Sequence, residues 1–383
     1  MTAKTGYYVP VSTVGKKCMA FVPNKLPSAS DLNITPELRE KLDSALLALG
    51  RLDSISLLLP DIALFLYMYI RKEAVLSSQI EGTQSSLSDL LLYEHKMIPG
   101  VPLEDVQEVS NYVSALKHGI NRIQEGFPIS SRLIKELHEI LLSKGRGSDK
   151  QPGDFRQSQN WIGGTRPGNA SFVPPPQDMI QSCIGDLEQY INDKDEKTPV
   201  LIKSALAHIQ FETIHPFLDG NGRVGRLLIP MILCEKKVLK EPLLYLSLFF
   251  KTHRNRYYEL LQKTRIEGCW NEWLLFFAEA VDSTASQAFK TVEMLEKIQK
   301  EDRDVISNLG RISGSAIQTY NAVLKSLYIT PKTLCDSIKI SPATANKILK
   351  EMANKGILKE TSGKERNRLY SYHRYLSILN MES

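Results

Sequence analysis

The sequence predicts a mainly α-helical protein that carries one short β-hairpin within its helical core and a separate C-terminal module. Apolar residues recur at helical spacing over most of residues 36–308, as at Leu38, Leu42 and Leu46. Residues 145–176 interrupt this pattern because they are rich in Gly and Pro. Near the C-terminus the pattern changes to short helices followed by a hairpin, which indicates a second folding unit.

Length and composition are those of an ordinary soluble globular protein. The chain has 383 residues, of which 42% are hydrophobic and 24% charged. Its five cysteines form no Cys-x-x-Cys pair, which argues against a disulfide framework or a zinc site. The N-terminus lacks a signal-peptide pattern, and the most apolar run, IALFLYMYI at 62–70, is too short to cross a bilayer. The sequence therefore predicts a cytoplasmic protein without a membrane segment.

The N-terminal third predicts a helical domain after a poorly patterned start. Residues 1–35 are turn-rich and show a weak pattern. A helix is predicted to begin at Pro36, and another over 63–76, before the polar stretch SSQIEGTQSS and the apolar stretch LSDLLLYEH. Residues 103–145 predict two helices that are separated by the Gly-Phe-Pro break at 126–128.

The middle of the chain predicts a hairpin and then more helices. Strands QSQNWIG and ASFV are predicted to pair around the turn GTRPGN. The apolar helix PVLIKSALAHIQFETI is predicted to end at His215, and the next helix is predicted to kink or break at Pro230. The remaining predicted elements are helices over 243–265, 269–282 and 284–308 and a linker over 308–316.

The stretch HPFLDGNGRVGR, at 215–226, joins two predicted helices and has the composition of an anion site. Its glycines allow positive φ and a close approach of ligand to backbone, and the next helix N-terminus directs N–H groups at the same place. Arg223 and Arg226 add forked donors that suit phosphate. Asp219 beside phosphates suits a divalent cation such as Mg²⁺, and His215 suits the general base on an attacking hydroxyl.

Residue chemistry alone leaves two interpretations of this stretch open. The first is phosphoryl or nucleotidyl transfer, catalysed by positioning and charge neutralisation. The second is a Gly-Asn-Gly turn after a helix that ends in a capping or core histidine. An EF-hand calcium loop is excluded, because no Glu stands at the closing position.

The same twelve residues are similar to the signature of the Fic family, His-Pro-Phe-x-Asp/Glu-Gly-Asn-Gly-Arg-x-x-Arg, with every fixed position present. The resemblance implies a mostly helical fold that transfers a nucleoside monophosphate, usually AMP from ATP, to a protein hydroxyl. It implies that His215 is the base, that Asp219 binds Mg²⁺ and that Arg226 holds the terminal phosphate of ATP. The other nucleotide-binding residues that it implies are Gly220, Asn221, Gly222, Arg223, Val224 and Gly225. Relatives that phosphorylate carry Lys at the position of Gly222, so this glycine favours nucleotidyl transfer.

Fic proteins often carry an inhibitory helix with the pattern Ser/Thr-x-x-x-Glu-Gly/Asn, and SSQIEG supplies Ser77, Glu81 and Gly82. A Glu that pairs with Arg226 would occupy the place of the terminal phosphate. The surrounding sequences GRLDSI and RKEAVLSSQIEGT resemble the N-terminal domain that accompanies many Fic cores. The resemblance therefore implies autoinhibition by Glu81; a solvated helix cap is the alternative.

Further features gain an interpretation from the same resemblance. The hairpin at 157–174 resembles the family's flap, which pairs with the backbone of the target protein. Tyr257 and Tyr258 resemble positions that border the adenine pocket, with an aromatic core as the competing interpretation. His208 is predicted to be a core histidine, and Arg156 to be either functional or part of a structural ion pair.

The segment TPKTLCDSIKISPATANKILKEMANKGILKETSGKERNRLYSYH resembles a winged helix-turn-helix. Ser341-Pro342 predicts the start of its third helix. From Arg311 to the end the chain carries twelve Lys or Arg against five Asp or Glu, so this module predicts an anionic partner. DNA is one candidate, and protein contact or dimerisation without DNA is the other. The side chains predicted to face DNA are Ala343, Thr344, Asn346 and Lys347 on the helix and Gly363, Lys364, Arg366 and Arg368 on the wing.

The leading hypothesis is a cytoplasmic protein adenylyltransferase that uses Mg·ATP, modifies a Tyr, Thr or Ser hydroxyl, including its own, and is restrained by Glu81. One alternative is a regulator in which the Fic core senses nucleotide and the winged helix binds DNA. Another is removal of AMP from a modified protein, with Glu81 orienting a water. The predicted domains are 1–110, an N-terminal helical domain; 111–308, the Fic core; and 309–383, the winged helix. A homodimer is a family expectation.

Overall fold

The computed structural model describes residues 2–3, 5–13, 16–28, 31–56, 62–94, 100–194, 197–363 and 368–381. Its strands are β1 (Thr2–Ala3), β2 (Gly6–Thr13), β3 (Lys16–Pro23), β4 (Tyr328–Ile329), β5 (Lys359–Glu360) and β6 (Tyr370–Ser371). Its helices are α1 (Pro36–Ser56), α2 (Ile62–Ile80), α3 (Leu87–Glu94), α4 (Leu103–Gln124), α5 (Ser131–Leu141), α6 (Ile180–Asn192), α7 (Val200–Ile214), α8 (Asn221–Glu235), α9 (Ser247–Thr252), α10 (Arg254–Glu267), α11 (Trp270–Ser307), α12 (Ser313–Leu324), α13 (Pro331–Ile338), α14 (Pro342–Asn354) and α15 (His373–Leu379).

The chain divides into two compact units. The first consists of Met1–Ser54 and Tyr69–Ser286, and the second of Ile55–Met68 and Gln287–Ser383. The three-domain division expected from the sequence stays a prediction. In the described part of the chain, no helix is both long enough and apolar enough to cross a membrane. The five cysteines are free thiols.

The first unit begins with a hairpin that the sequence did not reveal. β2 and β3 pair antiparallel over their full length, from Gly6↔Pro23 to Thr13↔Lys16, and β1 pairs with β2. The weak, turn-rich pattern of residues 1–35 therefore did not predict these strands. Ala20, Phe21 and Val22 are consecutive buried residues of β3, so this strand lacks the apolar–polar alternation that would have predicted it, and the ring of Phe21 contacts that of Phe172.

Two apolar helices, α7 and α8, form the core of the first unit and hold the signature loop between them. Every residue from Leu201 to Ile214 is buried. α8 is also buried along most of its length and continues through Pro230 without a break, so of the two expected outcomes the break is wrong and the kink stays a prediction. A proline inside a helix costs about 3 kcal/mol. Burial of its neighbours, among them Leu228, Ile229 and Met231, offsets that cost.

Four other sequence expectations were wrong in detail. The flap is reduced to one antiparallel bridge, Ile162↔Phe172, around a short 3₁₀ turn at Pro167–Asn169. The helices expected over 269–282 and 284–308 are one helix, α11, because a buried apolar stripe runs on through Ala285 and Ala288. The helix expected over 243–265 is two, α9 and α10. The linker expected over 308–316 holds a 3₁₀ turn and the start of α12, since Gly and Ser are tolerated in a first helical turn.

The C-terminal part of the second unit has the predicted order of helix, helix, turn, helix and strands. α12 is followed by the short strand β4, then by α13 and α14 and by β5 and β6, and the three strands form an antiparallel sheet in the order β4-β6-β5. Ser341 caps α14 as predicted, because its Oγ accepts the Thr344 N–H at 3.2 Å. Of the predicted wing residues, Lys364 and Arg366 lie outside the described residues.

Candidate active site

The signature loop is shaped by two residues in the left-handed region. α7 ends at Ile214, and His215 follows with φ 48° and ψ 59° while its N–H donates to Phe211 O at 2.9 Å. Gly220, at φ 76°, precedes the first residue of α8. The left-handed His215 turns the chain sharply out of the helix, a conformation that costs a non-glycine residue energy. The loop therefore lies directly over the N-terminus of α8, where unpaired N–H groups favour an anion.

Neighbouring side chains fix the backbone of this loop. Asn221 bonds the main chain of Phe217 twice, accepting its N–H and donating to its carbonyl oxygen, both at 2.9 Å. His138 accepts the Gly153 N–H through Nδ1, so its Nε2 carries the proton and donates to Asp219 O at 3.0 Å. The His138 ring also stacks on Phe217, with 3.6 Å between ring centroids. Burial lowers the pKa of His138 to about 4, which keeps this bracing imidazole neutral.

His215 is the titratable group at the mouth of the loop. Burial, together with the positive charges of Arg265 and Arg156, lowers its pKa to about 3. Its Nδ1 is buried and finds no hydrogen-bond partner among the described residues. Arg156 donates to the carbonyl oxygens of His215, Ser158 and Pro175, so it supports the backbone, and it forms no ion pair with any of the described residues. The site thus holds a neutral imidazole with a free lone pair at neutral pH.

Arg226 is almost completely buried and is held by the end of α2. Its Nε donates to Ser77 Oγ at 2.9 Å, and its Nη2 donates to Ser77 O at 3.0 Å and to Glu81 Oε1 at 2.8 Å. Glu81 also lies against Gly222, where a Cβ would be 2.3 Å from Glu81 Oε1. Burial opposes ionisation of Glu81, yet the charge of Arg226 holds the pKa of this carboxyl below its ordinary value. Ser77 and Glu81, which the sequence led us to expect in an inhibitory contact, therefore both bond Arg226.

Arg223 and Asp219 form a second group of charges on the other side of the loop. The Arg223 side chain is completely buried, and its Nη1 lies 2.6 Å from Glu108 Oε1. Its Nη2 reaches Asp219 Oδ1 at 3.5 Å, and the same oxygen accepts the Gly220 N–H at 2.6 Å. Asp219 keeps 38% of its side chain exposed, which leaves the carboxylate accessible to a ligand.

The other predicted nucleotide-binding residues take different positions. Val224 is buried, and Gly225 packs so closely on α7 that a Cβ there would be 2.4 Å from Glu212 Oε1. Tyr257 is 1% exposed and its hydroxyl donates to His208 Nε2 at 2.8 Å, so its ring belongs to the aromatic core. Tyr258 is 42% exposed and remains accessible.

Several residues of the site carried no sequence signal. Arg265 donates to Thr213 Oγ1 and to Glu212 O, and it lowers the pKa of His215 from a position 50 residues further along the chain. His138 lies 77 residues before His215 in the chain, and Glu108 lies 107 residues before it. No local pattern distinguishes such residues from ordinary polar positions on amphipathic helices. Only the buried position of a polar residue could have indicated them, and burial is a tertiary property.

Comparison with known proteins gives consistent results. Residues 39–121 match the Fic/DOC family N-terminal model, and residues 128–233 match the Fic/DOC family model. The chain is 28% identical over 209 residues to the protein adenylyltransferase Fic of Aedes aegypti, covering 54% of this chain and 39% of that protein. It is 26% identical over 254 residues to the protein of the same name from Drosophila grimshawi, covering 63% and 49%. The chain thus spans less than half the length of these relatives.

Solved structures show the same fold. A Fic family protein from Desulfovibrio desulfuricans G20 superposes with a TM-score of 0.57 at 19% identity, covering 89% of this chain and 97% of that one. Fic-1 from C. elegans superposes with a TM-score of 0.52 at 21% identity, covering 67% and 73%. The prediction of a mainly helical, Fic-type fold is confirmed. Residues 39–121 thus form a Fic/DOC N-terminal domain, and residues 128–233 form a Fic domain.

Proposed function

We propose that this protein transfers AMP from ATP to a Tyr, Thr or Ser hydroxyl of a protein, itself included. The observation that carries the proposal is the loop at 215–220, where a neutral His215 stands beside an anion-binding helix N-terminus that two arginines flank. Relatives over the same region are named protein adenylyltransferases. Gly222 stands where the phosphorylating variant of the family signature carries a lysine, and this glycine favours nucleotidyl transfer.

His215 is the group that activates the acceptor. Its lone pair takes the proton of the target hydroxyl as the hydroxyl oxygen bonds to the α-phosphorus of ATP. The bond from that phosphorus to the bridging oxygen breaks, and pyrophosphate leaves with the electron pair. Burial and the nearby arginines hold the pKa of His215 at about 3 in the free protein. Nucleotide phosphates beside the ring raise this pKa, because negative charge favours the imidazolium.

The loop and α8 bind the phosphates. The N–H groups of Asn221 and Gly222 belong to the first turn of α8, where the helix leaves donors unpaired, and the N–H of Gly220, the residue before the helix, donates to Asp219 Oδ1. Arg226 holds the terminal phosphate once Glu81 withdraws. Tyr258, on α10, borders the base. Asn221 contributes through its backbone, since its amide is engaged by Phe217.

The donor set around Asp219 fits Mg²⁺. Among the described residues no group of three or more His, Cys, Asp or Glu forms a protein cage for a metal. One exposed carboxylate is what Mg²⁺ uses when substrate phosphates and retained waters supply the other ligands. Asp219 would hold the ion, and the ion would neutralise charge on the phosphate oxygens.

Glu81 restrains the reaction in this proposal. Its carboxylate lies 2.8 Å from Arg226 Nη2, on the donor that a terminal phosphate requires. Two anions cannot share that donor without repulsion. ATP therefore binds in a reactive pose only when the end of α2 moves away, and the flap around Ile162 and Phe172 then meets the backbone of the target.

Transfer is tested with ATP labelled on the α- or the γ-phosphate. The protein is expected to retain the α-label and not the γ-label, and His215→Ala is expected to lower the rate about 10²- to 10⁴-fold. Glu136→Gln, a carboxylate on α5 that pairs with Arg132 outside the site, is the matched control and should label normally. Equal labelling of wild type and His215→Ala would exclude His215 as the base.

DNA binding by the C-terminal module is the second candidate, favoured by the exposed face of α14. Asn346, Lys347 and Lys350 are exposed there. We expect binding to duplex DNA to weaken as salt rises, with a slope of about 0.9 per phosphate contact. Lys347→Ala should reduce the magnitude of that slope by about 0.9, the equivalent of one phosphate contact. Lys297 is an exposed lysine on α11, and Lys297→Ala should leave the slope unchanged. Absence of binding at low salt would contradict this second function.

A further inference from the structure

Glu108, on α4, is a buried carboxylate that pairs with two arginines from different parts of the chain. It is 1% exposed. Its Oε1 lies 2.6 Å from Arg223 Nη1 and 3.2 Å from Arg146 Nη2. A carboxylate this deeply buried is costly unless it is paired, and removing it would leave the buried guanidinium of Arg223 uncompensated.

One series of contacts, the Arg223 arm, runs from Glu108 through Arg223 to Asp219. The guanidinium of Arg223 is planar and rigid, so fixing one nitrogen fixes the direction of the others. While Nη1 is held by Glu108, Nη2 reaches Asp219 Oδ1 at 3.5 Å. The Gly220 N–H at 2.6 Å holds the same oxygen from the loop side. Because Arg223 has no solvent exposure, its position depends on Glu108 and not on water.

A second series of contacts, the Arg146 arm, runs from Glu108 through Arg146 to the end of α2. Arg146 Nη2 lies 3.4 Å from the backbone oxygen of Glu81, directly after the last residue of the helix. A cation at a helix C-terminus is stabilised by the helix dipole. The neighbouring Gly147 adopts φ +85°, and a Cβ there would be 2.7 Å from Asp219 Oδ2. The loop that carries Arg146 therefore contacts both the restraining segment and the carboxylate at 219.

One face of α4 holds this loop in place. Asn111 stands almost one helical turn after Glu108, and its amide donates to Leu141 O at 3.3 Å and to Lys144 O at 2.9 Å. These are the end of α5 and the start of the loop. Glu108 and Asn111 thus fix the loop at two points, and neither residue belongs to the signature or to the SSQIEG motif.

We propose that Glu108 is a positioning residue for both halves of the site. Through Arg223 it orients Asp219 for the metal-bound nucleotide, and through Arg146 it holds Glu81 in its restraining place. This inference rests on the proposed function. It requires opposite consequences from the two arms: loss of the Arg223 arm impairs transfer, and loss of the Arg146 arm releases it.

The Arg223 arm is tested by Glu108→Gln in a Glu81→Gly background, where the restraint is absent. Transfer is expected to fall about 10- to 100-fold, the usual effect of losing a group that orients a metal ligand. Calorimetry on the same proteins with His215→Ala gives a readout independent of turnover. There Glu108→Gln should weaken ATP affinity in Mg²⁺ about tenfold and leave affinity in EDTA within about twofold, because Asp219 acts through the ion.

The Arg146 arm is tested by Arg146→Gln in the full chain. With Glu81 present, transfer is expected to rise about 2- to 5-fold, which corresponds to the loss of one cation at a helix C-terminus. In the Glu81→Gly background the same substitution should change the rate less than about twofold, since nothing is left to release. A rise of equal size in both backgrounds would refute the coupling.

Controls separate this role from a general loss of structure. Glu136→Gln removes a half-buried carboxylate that pairs with Arg122 and Arg132, and it should leave both readouts unchanged. Thermal unfolding identifies variants that fail to fold, and Glu108→Asp, which keeps the charge but shortens the reach, should give an intermediate loss. Unchanged Mg²⁺-dependent affinity in a folded Glu108→Gln protein would overturn the proposal.

The two levels of inference fail differently. If Glu81→Gly transfers no AMP but binds Mg·ATP, the proposed function is wrong, and calorimetry with and without Glu108→Gln still decides the positioning role. If no variant binds ATP, both are refuted. If transfer occurs and Glu108→Gln leaves it intact, only the positioning role is refuted.

Discussion

Substitution of Glu81 by Gly should convert a restrained protein into an active one. The carboxylate makes one charge-assisted bond to Arg226, at 2.8 Å, and the Arg226 side chain is 2% exposed. Such a bond contributes about 1.5–3 kcal/mol. If this contact is what opposes phosphate binding, its loss should raise the transfer rate about 10- to 140-fold, since each 1.4 kcal/mol is a factor of ten. Glu81→Gln keeps the length but not the charge, and it should give most of the increase.

The increase can be measured by self-labelling with α-labelled ATP at one protein concentration, together with melting temperature. Without Glu81 the buried Arg226 retains its two hydrogen bonds to Ser77 but loses its carboxylate partner, so the free variant should melt lower than wild type. Saturating Mg·ATP should raise its melting temperature more than that of wild type, because phosphate replaces the lost carboxylate. Equal labelling and equal ATP-induced shifts in both proteins would refute the restraint.

The restraint should also persist in mild acid. Burial raises the pKa of Glu81, but the charge and the hydrogen bond of Arg226, together with the charge of Arg223, hold this pKa below its ordinary value. A carboxyl with a lowered folded pKa contributes stability that is present above its unfolded pKa and lost only as pH falls through the folded value. The ratio of Glu81→Gly to wild-type labelling should therefore stay constant from pH 8 to pH 6, and a ratio that collapses over that range would contradict the ion pair.

Three further predictions concern stability, each measured by urea unfolding of the full chain. Gly225→Ala should lower the free energy of unfolding by about 1–3 kcal/mol, because the added Cβ would lie 2.4 Å from Glu212 Oε1 between the packed helices α7 and α8. An unchanged free energy of unfolding would mean that α7 and α8 can separate. Burial lowers the pKa of His208 to about 3 from 6.5, so the protein should lose up to about 1.4 kcal/mol per pH unit through this group as pH falls below 6.5; His208→Asn should remove that part of the slope, and an unchanged slope would exclude it. Asp302→Asn should lower the free energy of unfolding by about 1–3 kcal/mol, because Asp302 is 1% exposed and accepts a hydrogen bond from the Tyr372 hydroxyl in the second unit. Asp304→Asn, at an exposed position, is its control, and equal stability of the two variants would contradict the contact.

The sequence by itself determined the location of the site and much of its chemistry. The fixed spacing from His215 to Arg226 spans a helix end, a glycine loop and a helix start, so local backbone geometry already gathers the donors. The helix ends at the Gly-Phe-Pro break and at Ser341-Pro342 were also predictable from local sequence, because capping residues and proline act on the backbone within one helical turn. Helices were predictable where one apolar stripe faces a core.

Tertiary structure decided everything that joins distant parts of the chain. Glu81 was a candidate partner for Arg226 only by resemblance, and the fold brings the two together from 145 residues apart. The hairpin of β2 and β3 and the continuous α11 were missed because neighbours that lie far away in sequence set their burial. Tyr257 lies in the core and Tyr258 at the surface although they are adjacent, since a helix turns about 100° per residue and the fold decides which side is covered. The roles of Glu108 and His138 could not be predicted for the same reason. In the sequence a polar residue on a helix is expected to face solvent, and only the fold buries Glu108 beside an arginine and His138 beside a loop carbonyl.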